Sequence, residues 1–244
     1  DIHGYSVFLG LNTTDVWLAA FDLDLIDVHD DGTFEITFFN EKTVAALEKA
    51  IALSYDENGT FINKKDWRDV PKAFSEEKIA MTQLYFGETT ESLGNMEAKY
   101  GILPLPKFDE AQESYRTTPA TTASAIALCS NLSESRAAMC SAVLELLAAE
   151  SYKQVTPTYY SKVLQGQYSK DEADAEMFDY ILDSSVLCFG YAYAFNILGG
   201  SMTNLFRFCG SNKDIQSEID GNRERYQAAT QELVDALLDV AAGN

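Results

Sequence analysis

The stretch from Trp67 to Pro106 constrains the chain more than any other. Val70 and Phe74 fall on one face of a short amphipathic helix, and a charged turn follows at Glu76 to Lys78. The apolar run Ile79-Ala80-Met81 then reads as a strand leading to the aromatic pair Tyr85-Phe86 and Gly87. Thr89 or Thr90 caps a second helix, and a further apolar run from Tyr100 to Leu103 is closed by Pro104-Leu105-Pro106. Short strands interleaved with helices in this way indicate an α/β fold.

The alternation extends to both sides. Tyr5 to Leu9 reads as a strand between two glycine breakers, and Thr13 or Thr14 starts a helix carrying Val16, Trp17, Ala20 and Phe21. The Asp-rich loop that follows fails as an EF-hand. In a register from Asp27, Phe38 stands where a bidentate Glu is required, so a turn before a strand at Phe34 to Phe38 is the better account. Asn40 caps a helix with Val44, Leu47 and Ile51 at helical spacing, and Asn58-Gly59 marks a turn. Ala123 to Leu128 reads as a buried strand. Ser133 and Glu134 open a helix to Glu150 with Met139, Val143, Leu146 and Leu147 on one apolar face.

The remainder is helical. Pro157 suits the first turn of a helix bearing Tyr159, Tyr160 and Val163, and Ser169 caps another with Ala173, Met177, Ile181 and Leu182 inward. An aromatic stretch from Gly190 to Arg207 precedes a long final helix from Ser211 to Ala242. The expectation is an α/β chain with a helix-rich C-terminal half.

Composition excludes several classes of function. With 18 basic against 38 acidic residues the net charge is −20, which opposes binding to nucleic acid or an anionic membrane surface. A hydrophobic content of 46% belongs to a globular chain, yet no apolar run approaches the roughly 18 residues of a membrane span. The first residue is Asp1, with neither an initiator Met nor a secretory signal after it, so the chain reads as starting mid-protein or after processing. Cys129, Cys140, Cys188 and Cys209 lack metal-ligand spacing, and Cys129 and Cys140 read as small buried hydrophobes. No cofactor or metal motif is present.

Catalysis finds little support. His3 and His29 sit in terminal or turn settings, and no nucleophile elbow, zinc pair or phosphate-cradling loop occurs. Aromatic placement is more informative, because sugar faces stack on rings while hydroxyls need a few fixed polar partners. Tyr85, Phe86 and Glu88 offer that combination where a strand gives way to a helix, although either ring also suits the core. Tyr191 and Tyr193 form a second candidate cluster, beside a glycine and alanines that would keep the surface open. Trp17, near Asn12, serves equally as core or as cleft residue. Trp67, just before Asp69, reads as a packed hydrophobic staple.

The order of Phe74, Lys78-Ile79-Ala80-Met81, Phe86-Gly87 and Tyr100-Gly101-Ile102-Leu103-Pro104-Leu105-Pro106-Lys107 resembles the extracellular solute-binding proteins of family 1, the ligand-capturing components of ABC importers. Glu77 stands where that family commonly has glycine. The resemblance also covers 115–162 and 188–208. It implies the C-terminal part of a type II, periplasmic-binding-protein-like two-lobe fold. Residues 1–114 would belong mainly to the second lobe, 115–155 would cross to the first, and 156–244 would return, with hinges near Phe108 to Tyr115 and Val155-Thr156. It further implies a non-enzymatic protein that captures a neutral sugar, most simply an oligosaccharide. Such a protein is extracellular or periplasmic, tethered by a lipid anchor, and docks on the membrane subunits of its transporter. A glycoside hydrolase or a carbohydrate- or protein-interaction module is the alternative.

Overall fold

Strand β1 (His3–Phe8) is buried at Tyr5, Ser6 and Val7, which alternate between its two faces, so it has to lie inside the sheet with cover on both sides. The computed structural model describes residues 2–8, 16–29, 33–56, 58–63, 66–119, 126–160, 172–193 and 214–241. In it β1 is the middle strand of a three-stranded parallel sheet, between β4 (Thr60–Asn63) and β5 (Ile79–Thr82). Tyr5 stands opposite Thr60 on one side and Met81 on the other. Parallel strands cannot be joined by tight turns, and helices supply the crossovers. Helices α1 (Val16–Ala20) and α2 (Glu41–Ser54) lie between β1 and β4, with a hairpin of β2 (Ile26–Val28) and β3 (Phe34–Ile36) inserted between them. Helix α3 (Asp69–Ser75) joins β4 to β5.

Caps explain where these helices start. The Asn40 side chain accepts the Thr43 backbone N–H at 2.8 Å, as its N-cap position predicts, and Leu47 and Ala50 carry the buried face of α2. The core is a chain of aromatic contacts. Tyr5 meets Trp17 edge-on at 6.3 Å, Trp17 meets Phe21 at 5.6 Å, and Phe21 meets Phe108 at 5.7 Å. The last helix, α9 (Ile215–Ala241), closes this core with Ile215, Ile219 and Tyr226, the Tyr226 ring stacking on Phe39 at 6.2 Å. Asp214 caps it by accepting the backbone N–H groups of Gln216 and Ser217. The short helix α8 (Phe189–Ala192) packs on β2, and a Cβ at Gly190 would fall 2.5 Å from that of Leu25. Gly190 is thus required for close approach in the interior and does not hold a surface open.

Several expected features take a different form. Helix α4 (Phe86–Glu91) begins before the expected threonine caps, and Thr89 and Thr90 instead bond back to the Phe86 and Gly87 carbonyls from inside it. Ile126 and Leu128 are exposed and lie in no strand, so the described part of the expected buried strand at 123–128 is absent. Helix α5 (Glu134–Glu150) forms as expected, but Met139, Val143, Leu146 and Leu147 are all exposed, and Cys129 is exposed beside it. It runs on through a π-helical turn (Ser151–Val155) into α6 (Thr156–Thr158), which accommodates Pro157 inside a longer helix. Helix α7 (Glu172–Asp183) buries Phe178 and Ile181, whereas Leu182 faces out. The cap expected at Ser169 and all of 194–213 lie outside the described residues.

Two helices end on a non-glycine residue in the left-handed region, Asp22 at φ 58° and Glu77 at φ 59°. After α3 the Lys78 N–H returns to Ala73 O and the Glu77 N–H to Phe74 O, the paired bonds that such a cap makes. The left-handed region costs a residue with a Cβ roughly 1–2 kcal/mol, and glycine gives part of this back through its greater freedom when unfolded. Glu77→Gly is therefore expected to raise stability by about 0.5–1 kcal/mol in urea denaturation. Asp22→Gly should show no such gain, because Asp22 also holds Arg116. A loss of stability in Glu77→Gly would count against this account of the cap.

Candidate functional site

In an open parallel sheet, ligands gather outside the carboxyl ends of the strands, where successive connections leave toward opposite sides. The order β4-β1-β5 places that point at the end of β1, with β4 on one side and β5 on the other. The β1–β5 seam is closed by side chains as well as backbone. The Ser6 hydroxyl donates to Thr82 Oγ1 at 2.8 Å, and the Tyr5 hydroxyl donates to Gln83 Oε1 at 3.1 Å. Burial pushes the Tyr5 phenol well above its ordinary range, so it stays a proton donor at every physiological pH.

Beyond this seam the chain presents Tyr85. It precedes α4 in an extended conformation, its carbonyl accepts the Glu88 N–H at 3.0 Å, and its side chain is 44% exposed. Its neighbours in the expected cluster point elsewhere. Phe86 packs on the fully buried Phe178 at 5.0 Å, which ties α4 to α7. Glu88 is buried, and its carboxylate accepts the Ser92 hydroxyl one turn along the same helix. Of Tyr85, Phe86 and Glu88, the tyrosine is the most exposed.

Of the other expected site residues, Trp17 and Tyr191 lie in the interior and Tyr193 is partly buried against it. Trp17 is buried between Tyr5 and Phe21, so of its two readings the core one holds. Tyr191 is buried with Ala19 and Cys188, and Tyr193 packs on Phe189 at 4.7 Å against the main core. Neither forms a cleft wall, because α8 is drawn onto β2 through Gly190. Asn12 lies outside the described residues.

Trp67 reverses its expectation. It is 41% exposed, and Val70 and Pro71 take the buried positions at the start of α3. Its loop is held by polar groups: buried Asn63 donates to Asp69 Oδ2 at 2.8 Å and accepts the Asp66 N–H at 3.1 Å. The Arg68 guanidinium lies over the Trp67 ring at 4.9 Å. The sequence held one signal for this: Asn63, Asp66 and Asp69 order the loop without help from the ring, which frees the ring from packing.

A second concavity, about 560 Å³, is lined by Asp22, Lys42, Phe108, Gln112, Glu113 and Arg116 among others. Several of its polar groups bond within the chain. Gln112 Nε2 donates to Ala20 O and Ser114 O, and Gln112 Oε1 accepts the Phe108 N–H. Lys49 donates to Phe108 O at 2.6 Å and sits over its ring. Arg116 forms a fork on Asp24 and also bonds Asp22. Burial opposes the Arg116 charge, but these bonds more than offset it and raise its pKa. The groove is a structural junction that fastens 108–116 to α1 and α2.

Among the described residues no cluster of His, Cys, Asp or Glu suits a metal ion, and no helix is long and apolar enough to cross a membrane. No known protein family, curated protein or solved structure matches the chain.

Cys188 sits behind Arg116, and burial first, then a hydrogen bond with Asp24, pushes its thiol up to about 12. An unfolded thiol ionises near 8.5. The folded chain therefore holds a proton that the unfolded chain releases, and the associated stability is full below about pH 8.5 and lost as pH rises toward 12. Cys188→Ala should flatten the fall in stability between about pH 8.5 and 10.5 in urea denaturation. An unchanged slope would remove Cys188 from this role.

Proposed function

We propose that the chain belongs to a solute-capturing protein of an ABC importer and binds a neutral sugar, without chemistry, at the carboxyl edge of its parallel sheet. The observation that carries this reading is Tyr85, which is 44% exposed just beyond the switch point, while its neighbour Phe86 packs on the buried Phe178. An exposed ring just past a strand end suits stacking against a sugar face. The resemblance to solute-binding proteins of family 1 supports the same assignment.

Two further features fit a two-lobe arrangement. The chain leaves the sheet domain at Thr117 and returns at Ser185, and these segments pair in parallel through Thr117 N–H to Ser184 O and Val186 N–H to Thr117 O. Between them lies α5, whose apolar side chains lack a buried face. A helix with an exposed apolar face suits burial against another layer. In this reading α5 belongs to the first lobe, the paired segments serve as the crossing, and closure on ligand is driven by contacts made only in the closed state. The site faces the outside of the cell, the protein is lipid-tethered, and the closed form docks on the transporter's membrane subunits.

A ligand that binds only the folded state raises the melting temperature by mass action, worth about 2.7 kcal/mol at a hundredfold excess over Kd. A saturable rise with one member of a panel of neutral mono- and oligosaccharides is expected. Tyr85→Ala should weaken that binding by roughly tenfold or less, as loss of one stacked ring implies. A flat response across the panel would end the sugar reading.

A further inference from the structure

Helix α5 buries none of its residues, and its large apolar side chains share one stripe. At about 100° per residue, Met139, Val143, Leu146 and Leu147 fall within roughly 100° of its circumference, and each is half exposed or more. Cys140 borders the stripe, while Glu134 and Glu145 stand on the far side of the helix. A contiguous exposed apolar patch of this kind marks a contact surface.

Charge identifies what fits this surface. Arg136 and Glu150 lie in line with the stripe, one at each end, seven residues before and seven after Val143, and both are exposed. Arg136 has no ion pair among the described residues. Glu150 holds Lys153 at 3.6 Å in an exposed pair of the kind that contributes little. The order Arg136, Met139, Cys140, Val143, Leu146, Leu147, Glu150 has the same spacing read from either end. An antiparallel α5 from a second copy, related by a two-fold axis at Val143, therefore sets Met139 against Leu147 and Cys140 against Leu146. It also sets Arg136 against Glu150 at both ends of the contact. A parallel pair would set Arg136 against Arg136 and Glu150 against Glu150.

We infer that α5 is the contact surface of an antiparallel, two-fold homodimer, in which the α5 of a second copy covers the apolar stripe. The chain's net charge of −20 disfavours contact between copies elsewhere, whereas the stripe and its two end charges sum to zero. The four large side chains expose on the order of 400 Å² per copy, and the pair buries roughly 1,000 Å² in all, the low end for a specific interface. The dimer is therefore reversible, with a Kd on the order of 10 µM at about 0.15 M salt, where charges farther apart than ~8 Å are screened. It does not depend on which solute the chain captures.

The test is sedimentation velocity on the full chain between roughly 1 and 200 µM, where a monomer passing to a dimer is expected. Val143→Glu, which places two like charges on the axis, should leave a monomer throughout, with the circular dichroism and urea midpoint of the unaltered chain at low concentration. Arg136→Glu and Glu150→Arg should each weaken the dimer at least tenfold, since each sets like charges together at both ends. The double variant Arg136→Glu/Glu150→Arg should return to within about threefold of the unaltered Kd, and a mixture of the two single variants should form a heterodimer. A chain that stays monomeric at the highest concentration overturns the inference and gives the stripe another occupant. A dimer that survives Val143→Glu places the contact elsewhere and overturns it too. Single charge reversals without effect, or a double variant as weak as either single one, would overturn the antiparallel pairing.

Discussion

The edge contact between Tyr5 and Trp17 ties the sheet to its helical cover, and most of the remaining structure depends on it. Tyr5 belongs to the strand with a neighbour on each side, and its hydroxyl reaches Gln83 beyond the end of β5. Its ring backs onto Trp17, whose own packing continues through Phe21 to Phe108. One line of rings thus joins the carboxyl edge of the sheet to the segment where the chain departs for α5. Burying a side chain of this size is worth about 1.5–3 kcal/mol, and the sequence of contacts makes the gains conditional on one another.

The polar groups around this line are arranged to fix geometry. Gln112 saturates both ends of its amide on backbone groups of two segments, and Arg116 is forked on Asp24 while bonding the left-handed Asp22. A half-buried guanidinium with two carboxylates contributes little net stability relative to an apolar substitute, but losing one partner leaves a charge without compensation. Such a junction is well suited to setting where a departing segment leaves a rigid body. It also accounts for much of the lining of the concavity at Gln112 and Arg116, where most of the donors bond within the chain.

Much of the element order was legible in the chain. Asn40 as a cap, the helix through Leu47, the strands at Tyr5 and Ile79, and the extent of α5 all follow from period and capping chemistry, which act over a few residues. Glu77 shows how a departure from expectation carried information, since the position that would favour glycine has a positive φ. The candidate site was legible only in part. Tyr85 stands open at the end of its strand, whereas Phe86, Glu88, Tyr191 and Trp17 are drawn inward. Partners far away in sequence do this, namely Phe178 for Phe86 and Leu25 behind Gly190 for the turn that holds Tyr191.

The two tryptophans divide what each level determined. Sequence by itself established that each stands at or just before the start of a short helix, because turn chemistry and apolar spacing are local. Only the tertiary structure decided that Trp17 lies between Tyr5 and Phe21 while Trp67 stands at the sheet edge. The reason is physical. A local pattern specifies which way a helix turns its residues, but burial is settled by what arrives on the other side. Phe21 and Tyr5 cover Trp17, whereas the loop of Trp67 is completed by Asn63 and Asp69 and has no need of its ring.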